Sequence, residues 1–382
     1  MHGYASQIWR SVLIWLGLQN TERMYLEGAE DIDVIHGAAA ETMQVKATAG
    51  NVTLRSRDVI EAINNAWLHQ DRNPERQIRY RLLTTANIAM EHTLRTQADA
   101  LRLRSALTVG SSLLVIGGGW IGLEVAATVR GMGCAVTVLE AAPRLCARTM
   151  PETVSDFLLR LHQSHGVIVR TGIGVTGLSE QESGVIATVD TGELLRADHV
   201  LIAIGIVPDT TLAVNCGLPV ANGIVVDAQG RTADPDIFAA GDVACGHSDF
   251  AGAALRLESW ANAQNQAIVA AKAALGRADR YDEIPWFWSD QYNINLQMLG
   301  LPDRGSKIVT RGAPEAGNGC WLMLRENGTA AGAVAVNAPR ELRTLRKLFA
   351  DERLPVLSAW ADTAVPLQRL ADRAVVACGG LA

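Results

Sequence analysis

The sequence has few aromatic residues, six cysteines without a Cys-x-x-Cys pair, no low-complexity stretch and no internal repeat. Each absence removes a class of function. Cys134, Cys146, Cys216, Cys245, Cys320 and Cys378 are scattered and share no clustered Cys/His spacing, so zinc, a bound iron–sulfur cluster and a local redox disulfide are not expected. They read instead as small buried side chains of a protein kept in a reducing cytoplasm. A basic surface is lacking too. With 34 Lys and Arg against 40 Asp and Glu, the formal charge of −6 gives no general drive toward nucleic acid or anionic membrane. The apolar stretch "SVLIWLGL" (Ser11 to Leu18) is too short to span a bilayer and lacks the flanks of a signal peptide. Gly-x-Ser-x-Gly and His-Glu-x-x-His, the marks of two hydrolase classes, do not occur.

What is present points to an α/β protein. The 382 residues include 35 glycines and are 48% apolar, enough for two or three domains with many strand-to-helix turns. "LLVIGGGWIGLEVAATVRGMGCAVTVLE" (Leu113 to Glu140) holds a short apolar strand, a glycine turn, a helix and a second strand. Gly117, Gly119 and Gly122 fall at Gly-x-Gly-x-x-Gly spacing directly between strand and helix. Gly117 permits the tight turn, Gly119 lets the backbone approach a pyrophosphate, and Gly122 lets helix and strand pack closely. The helix N-terminus offers free N–H groups to that diphosphate. Glu140, ending the second strand, can accept from both adenosine ribose hydroxyls and would repel a 2′-phosphate, which favours NAD over NADP.

Downstream, "PETVSDFLLRLHQSHG" reads as a helix opened by Pro151, and His199 to Ile204 as an apolar strand ahead of Gly205. "NGIVVDAQGRTADPDIFAAGDVA" reads as a strand, a turn and a second apolar strand ending at Gly241 and Asp242. The helix "SWANAQNQAIVAAKAALG" follows. From Pro285 onward, strands "INLQMLG", "SKIVTR", "CWLMLR" and "AAGAVAV", the last two joined at Asn327-Gly328, and a helix "RELRTLRKLFADE" make a small α+β domain. In the first hundred residues "DIDVIHGAAAETM" and "NVTLRSR" suit strands and "LRTQADALRLRSAL" a helix.

Four blocks carry a resemblance: "VIGGGWIGLEVAATV", "RTADPDIFAAGDVA", "LRLESWANAQNQA" and "PWFWSDQYNINLQMLG". They resemble FAD-dependent, NADH-using ferredoxin reductases of bacterial aromatic-ring dioxygenases and cytochromes P450, with the last block most like phenylpropionate- or anthranilate-type dioxygenase reductases. The resemblance implies two Rossmann-like nucleotide-binding domains and a small α+β C-terminal domain. Residues 1–107 and 230–282 would form a discontinuous FAD domain, 108–229 an inserted NAD domain, and 283–382 the C-terminal domain. It also implies that Asp242, after Gly241, binds the FAD ribityl chain, that Glu258, Ser259 and Trp260 lie near flavin and nicotinamide, and that Trp288 sits against the isoalloxazine. Arg148 matches a position near the NAD adenosine, and Gly205 joins the cofactor-binding set. Read alone, Asp242 suits an ordinary helix cap and Trp286 and Trp288 suit core positions.

Family members open with a second Gly-x-Gly-x-x-Gly that holds the FAD pyrophosphate, and this sequence contains none. It opens at "MHGYASQIWRSVLIW", in register with a point well inside a typical member. Glu124, the catalytic candidate, pairs in the family with a lysine of the missing stretch, and Arg10 is the nearest basic residue here. The function implied is electron transfer from NADH through FAD to a Rieske-type or other [2Fe–2S] ferredoxin serving a terminal oxygenase, in the cytoplasm, with no metal, nucleic acid or membrane. Two alternatives stand beside it: a truncated, flavin-deficient relative that binds NADH without reductase activity, and a flavin NADH oxidase or peroxide-reducing enzyme.

Overall fold

The computed structural model describes strands at residues 23–27, 31–36, 39–45 and 79–83, and then residues 97–182, 184–354, 357–371 and 375–376. "NVTLRSR" and Arg10 lie outside the described residues. The first four strands, β1 (Arg23–Glu27), β2 (Asp31–His36), β3 (Ala39–Val45) and β4 (Arg79–Leu83), form a sheet in that order, closed by a parallel β3–β4 pair. Helix α1 (Gln97–Ala106) leads to the unit that the glycine spacing marks.

Strand β5 (Ser112–Ile116), helix α2 (Trp120–Gly131), strand β6 (Ala135–Glu140), helix α3 (Glu152–Ser164) and strand β7 (Ile168–Thr171) alternate as a doubly wound unit should. Antiparallel strands β8 (Val175–Gln181), β9 (Gly184–Val189) and β10 (Leu194–Ala197) then fold over it, and β11 (His199–Ile202) returns beside β5. The order β11-β5-β6-β7 is wholly parallel. Buried on both faces, β5 carries Leu113, Leu114 and Val115 at 2% exposure or less, the run of apolar residues that a covered parallel strand requires.

After a short helix α4 (Thr211–Asn215), strands β12 (Val220–Ala221), β13 (Gly223–Val226), β14 (Ala244–Ser248) and β15 (Ala253–Leu255) form another sheet, followed by helix α5 (Trp260–Ala274). Two sequence expectations meet this region. The apolar run before Gly241 is not a strand: it makes one isolated bridge, Arg231 with Phe238, and the strand begins only at Ala244. Gly241, at φ +78°, turns the chain through one turn of 3-10 helix, and its N–H goes to Gln266 Oε1 at 2.8 Å rather than to a ladder. The second point is the boundary at 229/230, which falls between β13 and β14, two strands paired in parallel within one sheet.

The C-terminal part is a five-stranded antiparallel sheet of β16 (Trp286–Gln291), β17 (Ile294–Gly300), β18 (Lys307–Ala313), β19 (Asn318–Leu324) and β20 (Ala330–Val336), ordered β16-β17-β20-β19-β18, with helix α6 (Pro339–Ala350) behind it. The β19–β20 hairpin turns at Asn327-Gly328 with Gly328 at φ +80°. Leu342, Leu345, Leu348 and Phe349 line the buried stripe of α6, each worth about 1.5–3 kcal/mol if fully removed from water. The sheet's other face packs on α2 and α3 in one continuous core, with Trp120 edge-on to Phe287 at 5.1 Å and Phe157 edge-on to Trp321 at 5.7 Å. No helix among the described residues is long and apolar enough to cross a membrane.

Candidate functional site

The first turn explains its glycines by contact. A Cβ on Gly117 would lie 2.3 Å from the Ala203 carbonyl oxygen, and one on Gly122 would lie 2.1 Å from the Gly117 oxygen, so neither position admits a side chain. Gly119 differs. It sits in extended backbone at φ −82°, and a Cβ there would meet nothing within 4 Å among the described residues. Glycine at 119 is therefore not demanded by the fold and leaves room at the N-terminus of α2, as a pyrophosphate cradle needs.

Glu140 faces the same turn. Its Oε2 accepts from the Gly118 N–H and its Oε1 from the Ala142 N–H, each at 2.7 Å. These bonds fix the carboxylate and leave each oxygen a lone pair for ribose hydroxyls. Arg148 is exposed and lies over Gly205, where a Cβ would come within 3.1 Å of its Nη2. The four positions Gly119, Glu140, Arg148 and Gly205 thus surround one end of the parallel sheet, beyond the carboxyl ends of its strands, where ligands of open α/β sheets bind.

The second turn is built differently. Asp242 is half-buried, and no side-chain hydrogen bond to its carboxylate is found among the described residues. Burial, and then the nearby Glu258 carboxylate, raise its pKa above the usual value, while Arg256 opposes them. Arg256 spends its guanidinium elsewhere, on the Asp242 carbonyl oxygen at 2.9 Å and on Glu258 at 2.7 Å. A carboxylate held out of water without a donor is costly, and a ligand bringing hydroxyls would relieve it. Ser259 caps α5, its Oγ accepting from the Asn262 N–H at 3.2 Å, so its side chain has a structural task.

Strand β16 stands between the two turns. It is an edge strand of its sheet, and the period-two alternation of its side chains turns one face to α2 and the other to α5. On the α5 face Trp288 is 38% exposed, 5.9 Å from the 62% exposed Trp260 and 5.1 Å from Trp286. On the α2 face Ser289 donates to Glu124 Oε1 at 2.6 Å. Burial raises the Glu124 pKa, the bond from Ser289 acts against that, and the Asp290 charge adds to the rise. Glu124 and Trp288 therefore belong to opposite faces of one strand. The partner expected for Glu124, Arg10, lies outside the described residues; the described partner is Ser289. Sequence reading also passed over Arg256, Gln291 and His162, the last two fully buried and joined at 2.9 Å. Ser289 and Gln291 stand in the quoted block "PWFWSDQYNINLQMLG", yet only the fold brings them to helices over a hundred residues earlier.

Comparisons with known proteins agree with this architecture. The family described as pyridine nucleotide-disulphide oxidoreductase matches residues 79–267, and the reductase C-terminal family matches residues 286–371. The chain is 44% identical over 278 residues to the anthranilate 1,2-dioxygenase system ferredoxin–NAD(+) reductase component of Burkholderia cepacia, covering 72% of this chain and 68% of that protein. Among solved structures it is similar to the covalent putidaredoxin reductase–putidaredoxin complex, at 34% identity and a TM-score of 0.72 over 77% of this chain and 74% of that one. It is similar as well to the ferredoxin reductase for the CYP199A2 system from Rhodopseudomonas palustris, at 32% identity and a TM-score of 0.71 over 76% and 75%.

Proposed function

The chain belongs to the pyridine nucleotide-disulphide oxidoreductase family, and from that membership we propose that its two turns serve two dinucleotides, NADH at Gly117 to Glu140 and FAD at Gly241 to Trp260. It is an NADH-dependent ferredoxin reductase, moving electrons from NADH through FAD to a small [2Fe–2S] ferredoxin of an oxygenase system. The flavin supplies the conversion of a two-electron hydride into single electrons, and the protein supplies binding, orientation and electrostatics.

The observation that carries the assignment of residues is the position of β16, whose two faces address the two nucleotide units. Gly119 leaves the N-terminus of α2 open to the NADH pyrophosphate, Glu140 takes the adenosine ribose hydroxyls, and Arg148 crosses Gly205 on the adenosine side. Asp242, with Gly241 turning the backbone before it, receives ribityl hydroxyls. Trp288 offers an exposed ring to the isoalloxazine, with Trp260 and Glu258 beside the nicotinamide and Glu124 on the far face of β16. In this reading residues 1–107 and 230–282 form the flavin domain, 108–229 the NAD domain and 283–382 the C-terminal domain, and the β13–β14 pair supports moving the return into the flavin domain back toward residue 220. We place the protein in the cytoplasm; the unpaired cysteines Cys134, Cys146, Cys216, Cys245 and Cys320 support a reducing compartment.

The test is to purify the chain with FAD and follow NADH-driven reduction of a [2Fe–2S] ferredoxin by its visible absorbance. Ferredoxin reduction that requires both FAD and NADH is expected. NADH binding with no retained flavin would overturn the reductase and leave the flavin-deficient alternative.

A further inference from the structure

A line of buried polar side chains runs from Glu124 away from the nucleotide turns and through the packed interior. Ser289 donates to Glu124 Oε1 at 2.6 Å, the Gln291 amide donates to Ser289 Oγ at 3.0 Å, and Gln291 Oε1 meets His162 Nε2 at 2.9 Å. At the far end the Tyr292 hydroxyl meets His162 Nδ1 at 3.1 Å, and the Tyr292 ring stacks on His165 at 3.6 Å. Ser289, Gln291 and His162 are all 0% exposed. Three polar side chains without contact to water, spread over α3 and β16, form an ordered hydrogen-bonded chain.

The chain has a direction. With Gln291 donating to Ser289, its oxygen faces His162, so His162 must carry its proton on Nε2 and accept from Tyr292 on Nδ1. Every donor then points toward Glu124, and the run ends on an acceptor, the ionised carboxylate. The opposite direction is equally complete. A protonated Glu124 donates to Ser289, Ser289 donates to the Gln291 oxygen once the amide has turned over, the amide N–H donates to His162 Nε2, and His162 donates from Nδ1 to Tyr292. All partners are satisfied in either direction; a proton on Glu124 Oε2 would leave Ser289 donating to Oε1, so the reversed direction belongs to protonation at Oε1, the oxygen that Ser289 meets.

We propose that Glu124 takes its proton on Oε1, the oxygen bonded to Ser289, and that this protonation is coupled to the tautomer of His162, which makes His162 a positioning residue for the carboxylate. The coupling takes up one proton, carried by Glu124. His162 stays neutral, gaining a proton on Nδ1 from solvent at the half-buried Tyr292 end and losing the one on Nε2 to solvent when local opening of the α3–β16 contact exposes it. The Gln291 amide cannot relay a proton through its nitrogen, so the chain orients and does not conduct. In the ionised state Ser289 is a donor to Glu124; with the proton on Oε1 it becomes an acceptor.

The surroundings suit a neutral imidazole. Burial holds His162 below its usual pKa, the bond to Gln291 acts the other way, and His165, just past the end of the same helix, adds to the lowering. Burial pushes the Tyr292 phenol up to about 12, so it remains a hydroxyl, with Arg130 of α2 opposing. At the other end burial and Asp290 raise Glu124, against the Ser289 bond and the Asp290 backbone N–H. Tyr292 itself sits at φ +56°, a left-handed conformation that a bulky residue keeps only when its contacts impose it.

For its use in the reaction the inference rests on the proposed function, with Glu124 sensing the flavin across β16; the coupling itself does not. The experiment is 15N NMR of histidine-labelled protein with FAD bound, titrated with acid while circular dichroism confirms the fold; His162→Gln identifies the signal among eight histidines. An infrared carboxyl band absent from Glu124→Gln marks the Glu124 titration. The expected result is a change of His162 from the Nε2–H to the Nδ1–H tautomer with the same midpoint as that band, and a tautomer that ignores the Glu124 titration in Ser289→Ala. A His162 tautomer unchanged in the wild type while Glu124 titrates, or conversion to imidazolium first, overturns the coupling. Repeating the titration after reduction by NADH separates the two readings: a shifted midpoint supports a Glu124 that senses the flavin across β16, and an unmoved one with the tautomer change intact contradicts that role alone.

Discussion

The turn at Gly117 and the turn at Gly241 differ in sequence, one with Gly-x-Gly-x-x-Gly and the other with a single glycine before Asp242, and they differ as much in how they are completed. At Gly117 to Glu140 the protein satisfies itself: backbone oxygens exclude side chains at Gly117 and Gly122, and two backbone N–H groups hold Glu140. At Gly241 to Glu258 it does not, because Asp242 is half-buried with a raised pKa and its neighbour Arg256 is engaged on other acceptors. One turn is a preformed dock, and the other holds a cost that a bound hydroxyl compound would remove. A cofactor that stays through turnover suits the second, and a substrate that comes and goes suits the first.

The comparison can be broken most severely at Gly122. Gly122→Val forces a branched side chain toward a carbonyl oxygen, which should displace α2 and abolish NADH binding in a fluorescence titration, with a clear loss of Tm by circular dichroism. Asp242→Asn comes next and should act in opposite directions on two properties. A carboxyl whose folded pKa lies above its ordinary 3.8 takes up protons on folding, so its contribution to stability declines as pH rises through the window above 3.8. Removing that charge should raise the Tm of the flavin-free chain at neutral pH, by about 1 °C for each 1 kcal/mol relieved in a chain of this size, and should weaken FAD retention on a desalting column. A variant that lost FAD without gaining stability would show that Asp242 carries no such cost. Glu140→Ala should weaken NADH about tenfold, equivalent to about 1.4 kcal/mol, and narrow the preference over NADPH in steady-state kinetics. Smallest of all, Glu193→Ala removes the exposed Arg170 partner at 2.7 Å and should leave Tm and both affinities unmoved.

The first turn was legible because its strands, helix, glycines and Glu140 lie within 28 residues, between Leu113 and Glu140, although the backbone that crowds Gly117 is that of Ala203, just past the returning strand β11. The Asn327-Gly328 hairpin was legible for the same reason. The strand expected before Gly241 failed since "DIFAA" is apolar enough for a ladder, while the turn at Gly241 and its bond to Gln266, 25 residues on, set the geometry. Ser289 meets Glu124 across 165 residues and Gln291 meets His162 across 129. No periodicity in either segment signals such a pairing. The family resemblance pointed to Glu124 and to the block around Trp288 separately, and only the edge position of β16 brings them to one strand.

The central claim is that the α2 turn is shaped for a dinucleotide and not merely for folding, and Gly119 tests it most directly. A Cβ there meets no described atom within 4 Å, and its backbone is one that any L-residue adopts. The measurement is the Kd for NADH of Gly119→Val alongside its Tm and flavin content. The account predicts an unchanged Tm, FAD still bound and NADH affinity lost. Unchanged NADH affinity in the folded variant would contradict it.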